Sequence, residues 1–148
     1  RATQDGSDRE ARLNMMSASM QGAMAFQKGL GAVHALSHPL GGYRNLKLHH
    51  GTLNAILLPP VIRFNESVGA KTYPRLRRAM GLDANADIAK YLDEFSQSLG
   101  LPTKLSAIGV PRDILSEVSK AALLDHTHAT NARPATEADY LAMLEAAY

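Results

Sequence analysis

The amino-acid sequence predicts an all-α fold, a helical bundle of about six or seven helices that spans residues 1–148. Three observations lead to this prediction. Apolar residues recur at helical spacing in successive segments, aromatic residues make up only 5% of the chain, and no stretch shows the alternation of β-branched residues that is typical of strands. At 148 residues the chain is long enough for one domain with a real core, since a chain of this size buries about two-thirds of its unfolded surface.

The first helix is predicted from about Asp8 to Lys28. Ser7 and Glu10 have the S-x-x-E spacing of a capping box at its start. An apolar stripe follows at helical spacing, made of Leu13, Met16, Met20 and Met24. Methionine stripes sometimes line adaptable binding grooves. We interpret this one as part of the packed core.

Two helices are predicted after the histidine-rich stretch described below. One covers residues 51–68, where Pro59 and Pro60 are expected to kink it or to restart it. The next begins near Thr72, with Pro74 in its first turn, and ends at Gly81. Apolar spacing makes the first of these the most buried helix of the domain.

Three more helices complete the predicted bundle. The first covers residues 84–99 and is strongly amphipathic. The second opens at Pro111 and turns an apolar face inward, formed by Ile114, Leu115, Val118 and Ala122. The third begins at a capping motif at Thr136. The segment 125–134 between them is predicted to be a loop that carries His126 and His128 on the surface.

Charge and composition exclude several classes of protein. Sixteen basic and fourteen acidic side chains leave a net charge of +2, which is too balanced for a nucleic-acid partner. The longest apolar run, residues 55–62, is far shorter than the roughly 20 residues that cross a bilayer. There is no cysteine, so neither a disulfide framework nor a cysteine-based metal site is possible. We expect a cytoplasmic protein.

Four of the six histidines lie between Gly31 and Gly51: His34, His38, His49 and His50. His34 and His38 are four residues apart, so on a helix both project from one face. Gly41 and Gly42 follow where a helix would end in a left-handed turn, after which His49 or His50 could return to that face. Neutral imidazoles suit Zn, Fe, Ni or Cu, although packing or capping roles explain such spacing equally well.

The motif HALSHPLGG, followed by HHGTLNAILLPPVIRFN, resembles the C-terminal half of iron-containing (group III) alcohol dehydrogenases. The resemblance is specific from about residue 29 to residue 65 and looser, though in order, to Tyr148. Near the end, the segment NARP is similar to an N-P-R segment of that family. The resemblance implies that Fe(II) or Zn(II) polarises the oxygen of an alcohol or aldehyde for hydride transfer to or from NAD or NADP.

The resemblance also implies roles for individual residues. His34 and His50 would be metal ligands, with His49 as an alternative to His50. His50 is favoured because it directly precedes Gly51. His38 would lie beside nicotinamide and substrate, in a catalytic and cofactor-binding role. The family's other two ligands belong to an earlier D-A-x-x-x-H segment, and no aspartate stands four residues before a histidine in this chain.

We therefore expect the chain to be part of a longer enzyme, whose N-terminal dinucleotide-binding domain would complete the site. The chain starts at Arg1 and contains no glycine-rich phosphate fingerprint after a strand. The resemblance implies that this enzyme binds a small-molecule alcohol or aldehyde and forms a homo-oligomer. By itself the 148-residue chain is expected to be inactive. Two alternatives stay open: a metal-independent oxidoreductase resembling maleylacetate reductase, and a free-standing helical metal-binding module that uses His34, His38 and His50.

Overall fold

Seven α-helices and five single turns of 3-10 helix form the structure, a computed structural model that describes residues 1–148. The α-helices are α1 (Arg9–Ala25), α2 (Ala32–Gly42), α3 (His50–Asn65), α4 (Tyr73–Ala79), α5 (Ile88–Ser98), α6 (Leu115–Leu124) and α7 (Glu137–Ala147). The absence of any strand confirms the all-α prediction. None of these helices is both long enough and apolar enough to cross a membrane.

The core lies where α2, α3, α6 and α7 pack together. Its fully buried large side chains come from all four helices: Leu36, Leu40, Leu53, Leu57, Leu115, Val118, Tyr140 and Leu144. Burying one leucine side chain stabilises the fold by about 1.5–3 kcal/mol. This packing fixes α2 and α3, the two helices that carry the histidines, against each other.

α3 runs unbroken through Pro59 and Pro60, so the expectation that the helix restarts there is wrong. A proline inside a helix removes a backbone hydrogen bond and costs about 3 kcal/mol. Four side chains of α3 are buried on either side of the prolines, namely Leu53, Ile56, Leu57 and Val61. Their burial offsets the lost hydrogen bonds.

The predicted left-handed turn at Gly41 and Gly42 is also wrong, because neither glycine has a positive φ and both remain in α2. Tyr43 caps the C-terminal end of the helix, and its N–H donates to the carbonyl oxygen of Leu40 at 3.2 Å. Tyr43 packs against the core, and this contact sets the direction of the chain. The left-handed conformation falls instead on Lys47, with φ of 50°.

Asn131 ties the start of α2 to the end of α3. Its Oδ1 accepts from the N–H of Ala32 at 3.1 Å and from Nδ2 of Asn65 at 3.2 Å. Its Nδ2 donates to Oδ1 of Asn65 at 3.0 Å and to the carbonyl oxygen of Arg133 at 2.7 Å. A Cβ atom at Gly31 would lie 2.9 Å from Oδ1 of Asn131, so a side chain at this position would push the Asn131 amide away from its hydrogen bonds. The first turn of α2 is fixed in this way.

One predicted helix cap and one predicted helix start need correction. Asp8 caps α1 by accepting from the N–H of Ala11 at 3.0 Å, whereas the hydroxyl of Ser7 donates to Asp5. The predicted capping box at Ser7 is therefore wrong. α5 begins at Ile88 rather than at residue 84, because Asp87 caps it.

The capping motif predicted for the last helix is confirmed. Thr136 and Asp139 form a reciprocal capping box at the start of α7. The side-chain oxygen of Thr136 accepts from the N–H of Asp139 at 3.2 Å, and the Asp139 carboxylate accepts from the N–H of Thr136 at 2.8 Å.

The apolar stripe of α1 is exposed, so the prediction that it belongs to the core is wrong. Between 60% and 69% of the surface of each member is accessible to solvent, for Leu13, Met16, Met20 and Met24 alike. Only Ala11 is buried in this helix. The helix itself was predicted correctly, but no other part of the chain covers its apolar stripe.

Candidate metal and substrate site

Three of the predicted site residues lie together. The ring centroids of His34 and His38 are 5.5 Å apart, those of His34 and His50 are 5.3 Å apart, and those of His38 and His50 are 5.9 Å apart. His34 and His38 project from successive turns of α2, and His50 is the first residue of α3. The expected convergence of His34 and His50 is present, while their assignment as metal ligands stays a prediction.

His49 is turned away from these three histidines. Its Nδ1 accepts a hydrogen bond from the N–H of Thr52 at 3.3 Å and so caps α3. The imidazole here acts as the side-chain cap that Ser or Asp more often supplies. Of the two neighbouring histidines, His50 is therefore the one that contacts His34 and His38.

Asn54 connects the two predicted ligands. Its Nδ2 lies 3.0 Å from Nε2 of His50 and 3.5 Å from Nε2 of His34. Because an amide NH₂ group can only donate, both Nε2 atoms present a lone pair to the same point. Asn54 Oδ1 is buried and has no hydrogen-bond partner. The shorter of the two contacts, to His50, orients that imidazole.

The geometry fits a divalent metal of borderline softness. Two neutral imidazoles whose lone pairs converge are half of the ligand set that a tetrahedral zinc site uses. The Asn54 amide lies between the two Nε2 atoms, so it would have to turn aside for an ion. Its unpaired Oδ1 means that this movement sacrifices no hydrogen bond of the carbonyl oxygen.

Burial lowers the pKa of His34, and the neighbouring imidazoles of His50 and His38 lower it further, against a smaller opposing effect of Asp125. Burial disfavours the charged form of an imidazole, and nearby like charges act in the same direction. His34 is therefore held neutral near physiological pH. Only the neutral form of an imidazole can bind a metal.

Asp125 is a site residue that sequence reasoning missed. Its Oδ2 lies 2.9 Å from Nδ1 of His38, and 13% of its side chain is exposed. Its Oδ1 accepts from both the N–H and the hydroxyl of Thr127, at 2.8 and 2.6 Å. The Asp-x-Thr spacing of residues 125–127, which favours such a turn, was the only local signal.

The pKa of the Asp125 carboxyl results from opposing effects. Burial raises it, whereas the hydrogen bonds from Thr127 and the pairing with His38 together lower it below its ordinary value. The carboxylate is accordingly ionised at neutral pH, with each oxygen facing a partner.

His126 and His128 differ in their surroundings. The ring of His126 is exposed, as predicted, and stacks on the ring of His38 with a centroid distance of 5.8 Å. Possible ligand atoms of His38, Asp125 and His126 lie within 4.8 Å of one another. His128 is partly buried, and its Nδ1 lies 2.9 Å from the hydroxyl of Tyr140. The predicted surface position is therefore wrong for His128.

A cleft of about 460 Å³ opens between the start of α2 and the middle of α3. His34 and Asn54 line one part of it, and most of its remaining wall is apolar, including Leu30, Val33 and Leu58. A cleft with apolar walls and a few polar groups is the usual form of a small-molecule site. The site therefore combines converging imidazoles with adjoining apolar space.

The chain is similar to known proteins in both sequence and fold. The profile of the Fe-containing alcohol dehydrogenase family, C-terminal, matches residues 1–148. A 4-hydroxybutyrate dehydrogenase of Cupriavidus necator is 57% identical over 152 aligned residues, which cover 98% of this chain and 40% of the relative.

Solved structures agree with this match. A 1,3-propanediol oxidoreductase superposes with a TM-score of 0.93 at 29% identity, over 99% of this chain and 40% of that one. An alcohol dehydrogenase from Oenococcus oeni gives a TM-score of 0.89 at 30% identity, with the same coverage. The chain thus spans about 40% of the length of the proteins it matches.

Proposed function

Because the chain belongs to the Fe-containing alcohol dehydrogenase family, we propose that it is the metal- and substrate-binding helical part of an NAD(P)-linked alcohol dehydrogenase. In this proposal His34 and His50 bind a divalent metal, Fe(II) or Zn(II), and the remaining ligands come from another part of a longer enzyme. The convergence of both Nε2 atoms on one amide nitrogen, that of Asn54, is the observation that carries the proposal.

Each residue of the site has a defined task. When bound, the metal would supply a Lewis acid that favours loss of the hydroxyl proton, and the nicotinamide would supply a hydride acceptor. His34 and His50 provide neutral nitrogen donors. Before a metal binds, Asn54 contacts both imidazoles and keeps their Nε2 atoms directed at the same point. His38, beside them, holds substrate or nicotinamide and accepts a proton or hydrogen bond.

The substrate class follows from the relatives. The dehydrogenase of Cupriavidus necator that is 57% identical acts, by its name, on 4-hydroxybutyrate. We therefore assign to this chain a short primary alcohol, with an ω-hydroxy carboxylic acid such as 4-hydroxybutyrate as the first candidate. The apolar wall of the cleft beside His34 suits the methylene chain of such a substrate.

Metal titration tests the ligand assignment. Zn(II) or Co(II) is titrated into the 148-residue chain and into its His34→Ala, His50→Ala, His38→Ala and His49→Ala variants. We expect weak binding to the unsubstituted chain, since two imidazoles are an incomplete ligand set. Binding should be lost in His34→Ala and His50→Ala and kept in His38→Ala. His49→Ala is the matched control, because it removes a neighbouring imidazole that faces away.

Three results would contradict the proposal. Tight binding of one metal ion that is lost in His38→Ala would favour a free-standing metal-binding module, or an ion held by His38, Asp125 and His126. A longer enzyme that keeps its NAD(P)-linked activity after His34→Ala would favour the metal-independent alternative. The 148-residue chain by itself should show no alcohol oxidation, and measurable turnover would also contradict the proposal.

A further inference from the structure

The contact between His38 and Asp125 determines more than the position of the ring. A neutral imidazole carries its proton on either Nδ1 or Nε2, and the hydrogen bond made by one nitrogen decides the state of the other. Nδ1 of His38 lies 2.9 Å from Oδ2 of Asp125. A carboxylate can only accept, so Nδ1 must carry the proton.

We propose that Asp125 is a positioning residue that holds His38 as its Nδ1–H tautomer and so leaves Nε2 as a hydrogen-bond acceptor beside His34 and His50. The tautomer follows from the contacts of this chain alone. Its consequence for turnover rests on the proposed dehydrogenase function, because an acceptor at Nε2 can take a hydrogen bond or a proton from a hydroxyl of substrate or cofactor.

Asp125 is itself held in a single orientation. It directly follows the last residue of α6, a helix that packs against α2, so the end of α6 brings the carboxylate to His38 across 87 residues of sequence. The N–H and the hydroxyl of Thr127 both donate to Oδ1, which leaves Oδ2 for His38. With only 13% of the side chain exposed, solvent competes little for the carboxylate.

His126 is the neighbouring residue that could compete with His38 for a hydrogen bond to the Asp125 carboxylate. Its Nδ1 lies 3.7 Å from Oδ1 of Asp125, which is beyond hydrogen-bond distance. It approaches the oxygen that Thr127 already occupies, and 82% of its side chain is exposed. His126 therefore stacks on His38 without deciding its tautomer.

Asp125→Asn gives a sharp test, because it should switch His38 to the opposite tautomer and not merely produce a mixture of the two. The backbone N–H of Thr127 can only donate, so it retains the carbonyl oxygen of the new amide. The amide NH₂ then faces His38 and must donate to Nδ1. Nδ1 has to accept in that arrangement, and the proton of His38 moves to Nε2.

Nitrogen-15 NMR of the metal-free 148-residue chain reads the tautomer of each histidine directly, without any enzymatic activity. We expect His38 to show a protonated Nδ1 and a bare Nε2 in the unsubstituted chain, the reverse in Asp125→Asn, and a mixture in Asp125→Ala. His49 is an internal reference for the opposite tautomer, because its Nδ1 accepts a hydrogen bond from the N–H of Thr52. His126→Ala and Asp83→Asn, which alters an exposed carboxylate, should leave His38 unchanged.

Two outcomes would overturn the proposal. One is a protonated Nε2, or an even mixture of tautomers, at His38 in the unsubstituted chain. This result needs only the unsubstituted chain, so it tests the proposal even if a variant fails to fold. The other is an unchanged Nδ1–H tautomer in a folded Asp125→Asn chain. Neither outcome depends on metal binding or on turnover, so the dehydrogenase proposal could fail while this one stands.

In a longer enzyme with alcohol dehydrogenase activity, Asp125→Asn should lower kcat more than it raises KM, because His38 would then present a donor where it presented an acceptor. Asp83→Asn should alter neither constant. Inverted tautomers together with unchanged kcat would confirm the positioning of His38 and would exclude a role for its Nε2 in turnover.

Discussion

α1 and α3 are almost equal in length, 17 and 16 residues, yet they are stabilised differently. α3 contacts α2, α5 and α7 and buries four side chains, whereas α1 buries only Ala11. α1 depends on its internal hydrogen bonds and on the Asp8 cap. The comparison shows that an apolar stripe at helical spacing predicts a helix. It does not predict whether another part of the chain buries that stripe. Because the relatives are longer than this chain, we expect another part of such an enzyme to cover the stripe.

The largest expected effect is a difference in hydrogen exchange. Amide protons of α1 should exchange roughly 1000-fold faster than those of buried α3, because opening free energies range from about zero for unsupported segments to the global value of about 5 kcal/mol or more. Exchange followed by NMR or mass spectrometry measures both helices in one sample. Equal protection of the amide protons of α1 and α3 from exchange would show that the two helices are equally well stabilised, against our interpretation.

The next effect concerns single side chains. Leu57→Ala in α3 should lower the free energy of unfolding by about 2–5 kcal/mol, because it leaves a cavity at a side chain with no exposed surface. Met20→Ala in α1 should change it by less than about 0.5 kcal/mol, since 60% of that residue is exposed. Urea unfolding of the 148-residue chain compares the two. A large loss in Met20→Ala would mean that its stripe is packed.

A matched pair of helix caps gives a smaller effect. Thr136→Ala should lower the global free energy of unfolding by about 1 kcal/mol, the usual cost of a lost N-cap, because α7 is part of the core. Asp8→Ala removes an equivalent cap from α1, but should reduce only the helix content of α1. Circular dichroism combined with urea unfolding separates local from global loss. Equal global losses would argue against the difference between the helices.

The smallest effect depends on pH. Hydrogen bonds from the hydroxyl and N–H of Thr136 lower the pKa of Asp139 below its ordinary value, against a small opposing effect of burial. A depressed carboxyl pKa contributes stability that is present above the unfolded-state pKa of about 3.9 and is lost as pH falls through the folded-state pKa. Asp139→Asn should therefore be less stable than the unsubstituted chain at pH 6. The difference should shrink below about pH 4 in urea unfolding, and a gap that widens in acid would contradict this.

Local signals predicted much of the bundle and part of the site. The Thr136 cap, the start of α4 near Thr72 and the inward face of α6 were correct because each depends on residues a few positions apart. The cap of α1 was assigned to Ser7 instead of Asp8, and the start of α5 was placed before its cap at Asp87, since several neighbouring residues could cap equally well. Gly41 and Gly42 remain helical, and the chain leaves α2 where Tyr43 packs against the core. Residues close in sequence do not predict this contact.

The sequence by itself determined the helical class of this protein and that histidines of α2 and of the start of α3 lie together, because periodicity, caps and the histidine motif are properties of neighbouring residues. Tertiary structure alone decided that Asp125 pairs with His38, that Asn131 ties α2 to α3, and that the apolar face of α1 stays open. Contacts of this kind join segments far apart in the chain. They form only when the whole bundle packs, and so they leave no pattern in any local stretch of sequence.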